Sequence, residues 1–343
     1  MTFLKRKGIT LSPRVYFIDA LSYMALGLFS SLIIGLIIQT IGKQLHISFF
    51  VELGSVAMGL MGPAIGVAVA YCLQAPPLVL FSAIIGGALG AQLGGPAGSY
   101  IVALIATEVG KIVSKETKID IIITPFVTIF TSFVIANAVG PFIQSIMQGF
   151  GQSIMWATEQ RPIIMGIIVA VLMGWALTAP ISSAAIAIML DLNGITAGAA
   201  TIGCSAQMIG FAIASYRENK IGGLLAIGIG TSMLQVPNII KNPLILIPPT
   251  VAGAVLAPIG TTVWPMFNNA EGAGMGTSGL VGQIMTFEAM GFSFQVLFFI
   301  LILHIIGPAI ISLVISEYMR KKGWIKAGDM LIQTGGEKNH AKA

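Results

Sequence analysis

The sequence predicts an all-α fold: a polytopic transmembrane helical bundle of about ten spans with two re-entrant hairpins. Three observations lead there. Hydrophobic residues fill 56% of the 343 positions and charged residues 9%, and the mean hydropathy is +0.92. A soluble domain of that composition has no means of covering its surface. Apolar runs near the ~20 residues needed to cross a bilayer recur along the whole chain. Glycine and proline clusters then interrupt stretches that are too apolar to be solvated loops.

Lys5, Arg6, Lys7 and Arg14 precede the first long apolar run, 15–41, which Asp19 interrupts early. Basic residues collect in cytoplasmic loops, so the N-terminus is expected inside. No small-residue cleavage site follows a short apolar core, and the run therefore reads as a retained span rather than a signal peptide. Further runs cover 53–73, 76–95, 98–113, 119–143, 162–178, 180–192, 194–215, 221–236, 244–265 and 293–316. Basic clusters at 111–118, 215–220 and 320–322 mark further cytoplasmic loops, which places both termini inside and makes the number of crossings even. The stretch 144–161 carries Gln144, Gln152, Trp156, Glu159 and Arg161 among apolar residues, as a helix lying in the interface does. Glycines four apart (Gly62 and Gly66; Gly86, Gly90 and Gly94; Gly194 and Gly198) allow close helix packing in lipid. These boundaries divide the chain into 1–160, 161–322 with hairpins near 180–193 and 266–283, and a polar cytoplasmic tail, 323–343.

The net charge of +5 is scattered through inter-span clusters and forms no continuous groove. It reports topology and implies no nucleic-acid partner; the bilayer is the expected surrounding. Cys72 and Cys204 lie inside apolar runs, where they read as small buried hydrophobes. No catalytic residue, metal site or cofactor is expected. Nothing pairs a histidine with a carboxylate and a hydroxyl; His304 reads as structural, His46 falls in a short loop and His340 in the tail. Glu108 and Lys111, three apart, read as an ion pair.

The most informative stretch is 268–283, with five glycines. They oppose a continuous helix, while the apolar character opposes a solvated loop; a re-entrant hairpin satisfies both. Glu271 is its only acid. A carboxylate there accepts hydrogen bonds from vicinal hydroxyls, and Asn268, Asn269, Thr277, Ser278 and Gln283 add donors and acceptors suited to a sugar or polyol. The alternative is a surface loop with a solvated Glu271. A phosphate cradle lacks its lysine and its strand-to-helix context. Prolines around Asn238, Lys241 and Asn242 break a second apolar stretch, which reads either as a site mouth or as an ordinary connection. At Thr178, Ser182 and Ser183 a proline again interrupts an apolar run, and the hydroxyls face either a cavity or the backbone. Gln207 lines a cavity or joins two helices.

The run from Asn242-Pro243 to Pro248, the later Glu271 beside a Gly/Thr/Ser-rich break, and the closing long span resemble EIIC permeases of the glucose superfamily of sugar phosphotransferase systems. The stretch 274–282 is most similar to the EIIC type 2 branch, which includes PfoR-like toxin regulators. The resemblance implies a bacterial plasma-membrane permease for a sugar or related small polar metabolite, acting by elevator-type alternating access. It implies a homodimer in which 1–160 dimerises and 161–322 transports, with Glu271 binding sugar hydroxyls. The chain departs from many such permeases in having no histidine in 162–215 and no fused phosphocysteine or phosphohistidine domain. Phosphate would come from EIIA and EIIB on separate chains, and this chain would carry no phosphorylated nucleophile. The alternative is a ligand-sensing membrane regulator, or a phosphorylation-independent transporter, of the PfoR-like type.

Overall fold

A computed structural model of the chain describes residues 3–9, 11–158 and 160–332; Glu159, His340 and the rest of 333–343 lie outside them. Among the described residues the fold is helical, and its only sheet-like pairing is a single bridge between Gly194 and Asn268. Six helices are long and apolar enough to cross a membrane, and a seventh crossing arises if one pair bent by 47° counts as a span. This is fewer than the expected ten. The run 180–192 folds as a seven-residue helix, and 221–236 breaks into short turns.

The chain divides into two compact units. The first lies within Met1–Ser145 and contains the helices Val15–Gln44 (α1), Ser48–Gly59 (α2), Met61–Cys72 (α3) and Pro77–Val113 (α4), with the start of Asp120–Thr158 (α5). Two of the expected runs lie inside α4, and the helix folds back on itself between them. Gly94 and Gly95 leave helical geometry, Gly95 at φ 57°, where a side chain would be strained. Ser99 consequently donates to the carbonyl of Gly87 at 2.9 Å, a pair that ~18 Å would separate in a straight helix. A β-carbon on Gly98 would lie 2.2 Å from the Gly90 oxygen, and one on Gly62 2.6 Å from the Gly87 oxygen. The small residues thus let three backbones meet, as packing in lipid requires.

Contrary to the expectation of a separate interfacial helix over 144–161, α5 runs unbroken to Thr158. At the other end of the unit, Lys111 donates to the carbonyls of Gly8 at 2.8 Å and Leu73 at 2.9 Å. It also pairs with Glu108 at 3.3 Å. The basic N-terminal segment and the 111–118 cluster therefore share one end.

The second unit is Ile146–Ile332. Its long elements are Pro162–Thr178 (α6), Gly194–Ala214 (α8), Pro243–Val263 (α9) and Phe294–Lys321 (α12). Short helices interrupt them: Ser183–Met189 (α7), Ala270–Ala273 (α10) and Val281–Met290 (α11). The centre is α8, whose Cys204 and Met208 pack with Met173 and Ile186, while Ile202 packs with Met266 and Leu303. Burial of this kind is what holds helices together here, because dispersion and close fit replace the hydrophobic drive within lipid.

The clusters 215–220 and 320–322 also meet: Arg320 pairs with Glu218 at 2.9 Å and Arg217 with Glu317 at 2.7 Å. Residues 323–332, expected to begin a polar tail, are built into this unit instead. Ile325 and Met330 are buried, anchoring the stretch by apolar contact. Asn219 and Gln235 both donate to the Met330 carbonyl, at 2.8 and 2.9 Å.

Candidate functional site

Three interruptions in the helices of the second unit converge. The first is the turn after Thr178, where Pro180 cannot continue the helix. The second follows Gly230, where Thr231 is extended and its hydroxyl accepts from the Met233 amide at 3.1 Å. The third is 274–280, where Gly276, Gly279 and Leu280 have positive φ. Hydroxyls tie the three together. Ser183 donates to the Gly274 carbonyl at 2.7 Å. Thr277 donates to Gly228 at 2.5 Å and Ser278 to Gly230 at 2.8 Å. Thr178 and Ser232 share a hydrogen bond of 2.9 Å. Helix ends free carbonyls that are costly to leave unpaired once buried, and these side chains satisfy them.

A polar seam continues from there. Gln207 accepts from Thr178 at 3.5 Å and donates to Thr250 at 3.0 Å, and the Trp175 indole also donates to Thr250, at 2.9 Å. Asn268 is buried and fully used: it donates to Thr201, Thr286 and the Gly282 carbonyl, while its own oxygen accepts from the Asn269 amide. The Asn269 side chain caps α10 by accepting from the Gly272 amide at 2.9 Å. Gln283 approaches Ser205 at 3.3 Å and the Nδ1 of His304 at 3.2 Å. The Oε1 of Gln283 and the Nε2 of His304 are buried without a partner among the described residues.

Of the residues singled out in the sequence, Thr178, Ser183, Gln207, Asn268, Thr277, Ser278 and Gln283 fall in this connected region, and Ser182 is half-buried beside it. Asn238 and Asn242 do not. Asn238 donates to the Leu331 carbonyl at 2.9 Å and Asn242 to the Asp329 carboxylate at 2.8 Å. Their amides hold the docked 323–332 segment.

Glu271 stands apart in another way. It is exposed and makes no hydrogen bond or ion pair with the described residues. The reason is local. In the single turn of α10, Gly272 and Ala273 face inward, and even a β-carbon on Gly272 would lie 2.4 Å from the Asn268 side chain. The larger side chain must point out. Among the described polar groups of the site, Glu271 is the charged acceptor with its lone pairs free, one turn from the joined breaks.

Sequence reasoning missed Ser232, Thr250, Ser205 and Thr201. Thr250, Ser205 and Thr201 are small polar residues inside apolar runs, a pattern shared by hydroxyls that merely bond their own helix. The Gly230-Thr231-Ser232 step was the one available signal, since it combines a helix breaker with a capping residue. Among the described residues no three His, Cys, Asp or Glu side chains converge as metal ligands.

A family model described as "Phosphotransferase system, EIIC" matches residues 18–332. No curated protein and no solved structure matches the chain.

Proposed function

Because the chain belongs to the phosphotransferase system EIIC family, we propose that this multi-pass membrane protein is a permease for a sugar or a related small polar metabolite. The second unit carries the ligand, in line with the role expected for 161–322, and Glu271 accepts hydrogen bonds from its hydroxyls. The observation that supports this reading is the convergence of three helix breaks around the Ser183–Gly274 bond. Broken helices at membrane depth are tolerated where protein or a watery cavity surrounds them, and transporters place their sites there. A free carboxylate at the edge of such a junction suits vicinal hydroxyls, which donate two hydrogen bonds in one plane.

In the fuller reading the second unit moves as a rigid body in an elevator cycle, the first unit forms a homodimer contact, and both termini face the cytoplasm. EIIA and EIIB on separate chains then supply phosphate. The experiment is binding of a panel of radiolabelled hexoses and hexitols to the purified chain and to Glu271→Gln. Loss of binding in a variant that keeps its melting temperature supports the assignment; unchanged affinity removes Glu271 from it. Flux of the bound sugar in proteoliposomes distinguishes the permease from a membrane sensor, which binds without transport.

A further inference from the structure

The first unit holds a cleft unrelated to the broken helices, and it has the chemistry of an anion site. It lies at the C-terminal end of α4, with a volume of about 420 Å³, and Arg6, Lys7, Lys111, Ser114, Lys115 and Glu116 line it. Four cations thus line the cleft with Glu116, while Glu108 pairs with Lys111 and Asp120 lies within the field of Lys7 and Lys115, so the basic charge exceeds the acidic by one. The floor is built: the side chains of Lys7 and Lys111 are 8% and 2% exposed. Lys111 is committed to the carbonyls of Gly8 and Leu73 and to an ion pair with Glu108. Lys7 gives two, to the Ser114 carbonyl and to Glu116, leaving one.

The rim carries the available donors. Arg6 gives a nitrogen to Glu116 at 3.0 Å and keeps the rest of its guanidinium fork. Lys115 is exposed; its amide donates to the Asp120 carboxylate at 2.7 Å, and its ammonium acts on that carboxylate through charge alone, so its protons face the cleft. Phe3 lies under both Arg6 and Lys7, at 5.2 and 5.7 Å from its ring centre, and holds these cations over the cleft. The same end of the unit exposes Phe3, Leu4, Ile119, Ile121 and Ile122. An apolar rim beside a cationic floor, at the end of a membrane helix, is complementary to an amphiphile rather than to a freely soluble ion.

We propose that this cleft binds the headgroup phosphate of an anionic phospholipid, with Arg6, Lys115 and the third proton of Lys7 as donors. Basic pockets at the ends of membrane helices attract such lipids with about a fivefold gain in affinity for each nearby cation. The proposal does not depend on the function assigned to the second unit.

The test is titration of the purified, delipidated full chain with fluorescent phosphatidylglycerol and with phosphatidylcholine of the same acyl chains. Phosphatidylglycerol should bind at least tenfold more tightly. Arg6→Ala and Lys115→Ala should each weaken it about fivefold, whereas Lys115→Arg and Lys118→Ala should leave it unchanged. Glu116→Gln removes the competing carboxylate and should tighten binding severalfold, a gain that misfolding cannot imitate. Equal affinity for the two lipids overturns the proposal. So does an equal loss in Lys118→Ala, which marks diffuse surface charge, or displacement of the lipid by millimolar inorganic phosphate, which marks a free-anion site.

Discussion

Ser183 donates its hydroxyl proton to the carbonyl of Gly274 across 2.7 Å, joining two helix breaks that are 91 residues apart in the chain. A β-carbon on Gly274 would lie 2.4 Å from the Ser183 carbonyl oxygen. The bond and the contact leave no room for either break to shift alone, so the two act as one junction.

Removing the bond should therefore be felt beyond its own strength. Ser183→Ala leaves a buried carbonyl unpaired, at a cost of about 1–3 kcal/mol. Thermal unfolding in detergent should show a lower melting temperature, while Ser153→Ala, which loses only a bond to its own helix at an exposed position, should not. An unchanged melting temperature for Ser183→Ala would show that water replaces the hydroxyl and that the junction is open.

The fold-back of α4 rests on the Gly90–Gly98 approach. Gly98→Ala drives a methyl against backbone 2.2 Å away, which flexible side-chain motion cannot relieve, and should cost about 1–3 kcal/mol or more. Gly59→Ala, which meets nothing within 4 Å, is the control. Thermal unfolding in detergent should show a lower melting temperature for Gly98→Ala alone.

The docked 323–332 segment hangs on side-chain amides. Asn238→Ala removes the donor to Leu331, worth about 1 kcal/mol, and should raise the open fraction about fivefold. Lys326 is exposed on this segment, so tryptic cleavage there should accelerate by a similar factor when opening is faster than cutting. Cleavage at the wild-type rate would mean that Ile325 and Met330 alone hold the segment.

Glu116 gives a pH dependence with a definite sign. Its hydrogen bond to Lys7, helped by the charges of Lys7 and Arg6, holds its carboxyl below the ordinary value of 4.5. A depressed folded value means that the N-terminal tether is fully present above pH 4.5 and is lost as pH falls through the lower, folded value. Hydrogen exchange of the Ile9 amide, which is buried and bonded to the Leu4 carbonyl at 2.9 Å, should therefore stay protected from neutral pH down past 4.5 and rise only below it, after correction for intrinsic rates. Loss of protection between pH 7 and 5 would assign the tether to another group.

Much of this architecture was legible from residue order. The helical class follows from composition and run length, and the expected runs 15–41, 194–215, 244–265 and 293–316 lie within a few residues of the observed helices Val15–Gln44, Gly194–Ala214, Pro243–Val263 and Phe294–Lys321. The break at Gly94-Gly95 could also be seen, because glycine pairs followed by proline punctuate any helix. The count of ten crossings could not be checked locally: an apolar run such as 180–192 reads the same whether it spans or only fills a gap between helices. Asn238 and Asn242 illustrate the limit for polar residues. Their type and their proline setting are equally suited to a ligand and to a strand of the same chain, and only the docked 323–332 segment distinguishes the two.

By itself, residue order determined the solvent this chain needs, the places where its helices must stop, and which acid stands beside the glycine-rich break. Those properties depend on side-chain polarity and backbone freedom within a few neighbours. Tertiary structure alone decided that the stops at 179–183, 230–232 and 274–280 lie against one another, that their hydroxyls are spent on carbonyls, and that Glu271 points outward. Each of those outcomes depends on which distant backbone arrives to claim a hydrogen bond, and in a medium without water that claim settles where every polar group goes.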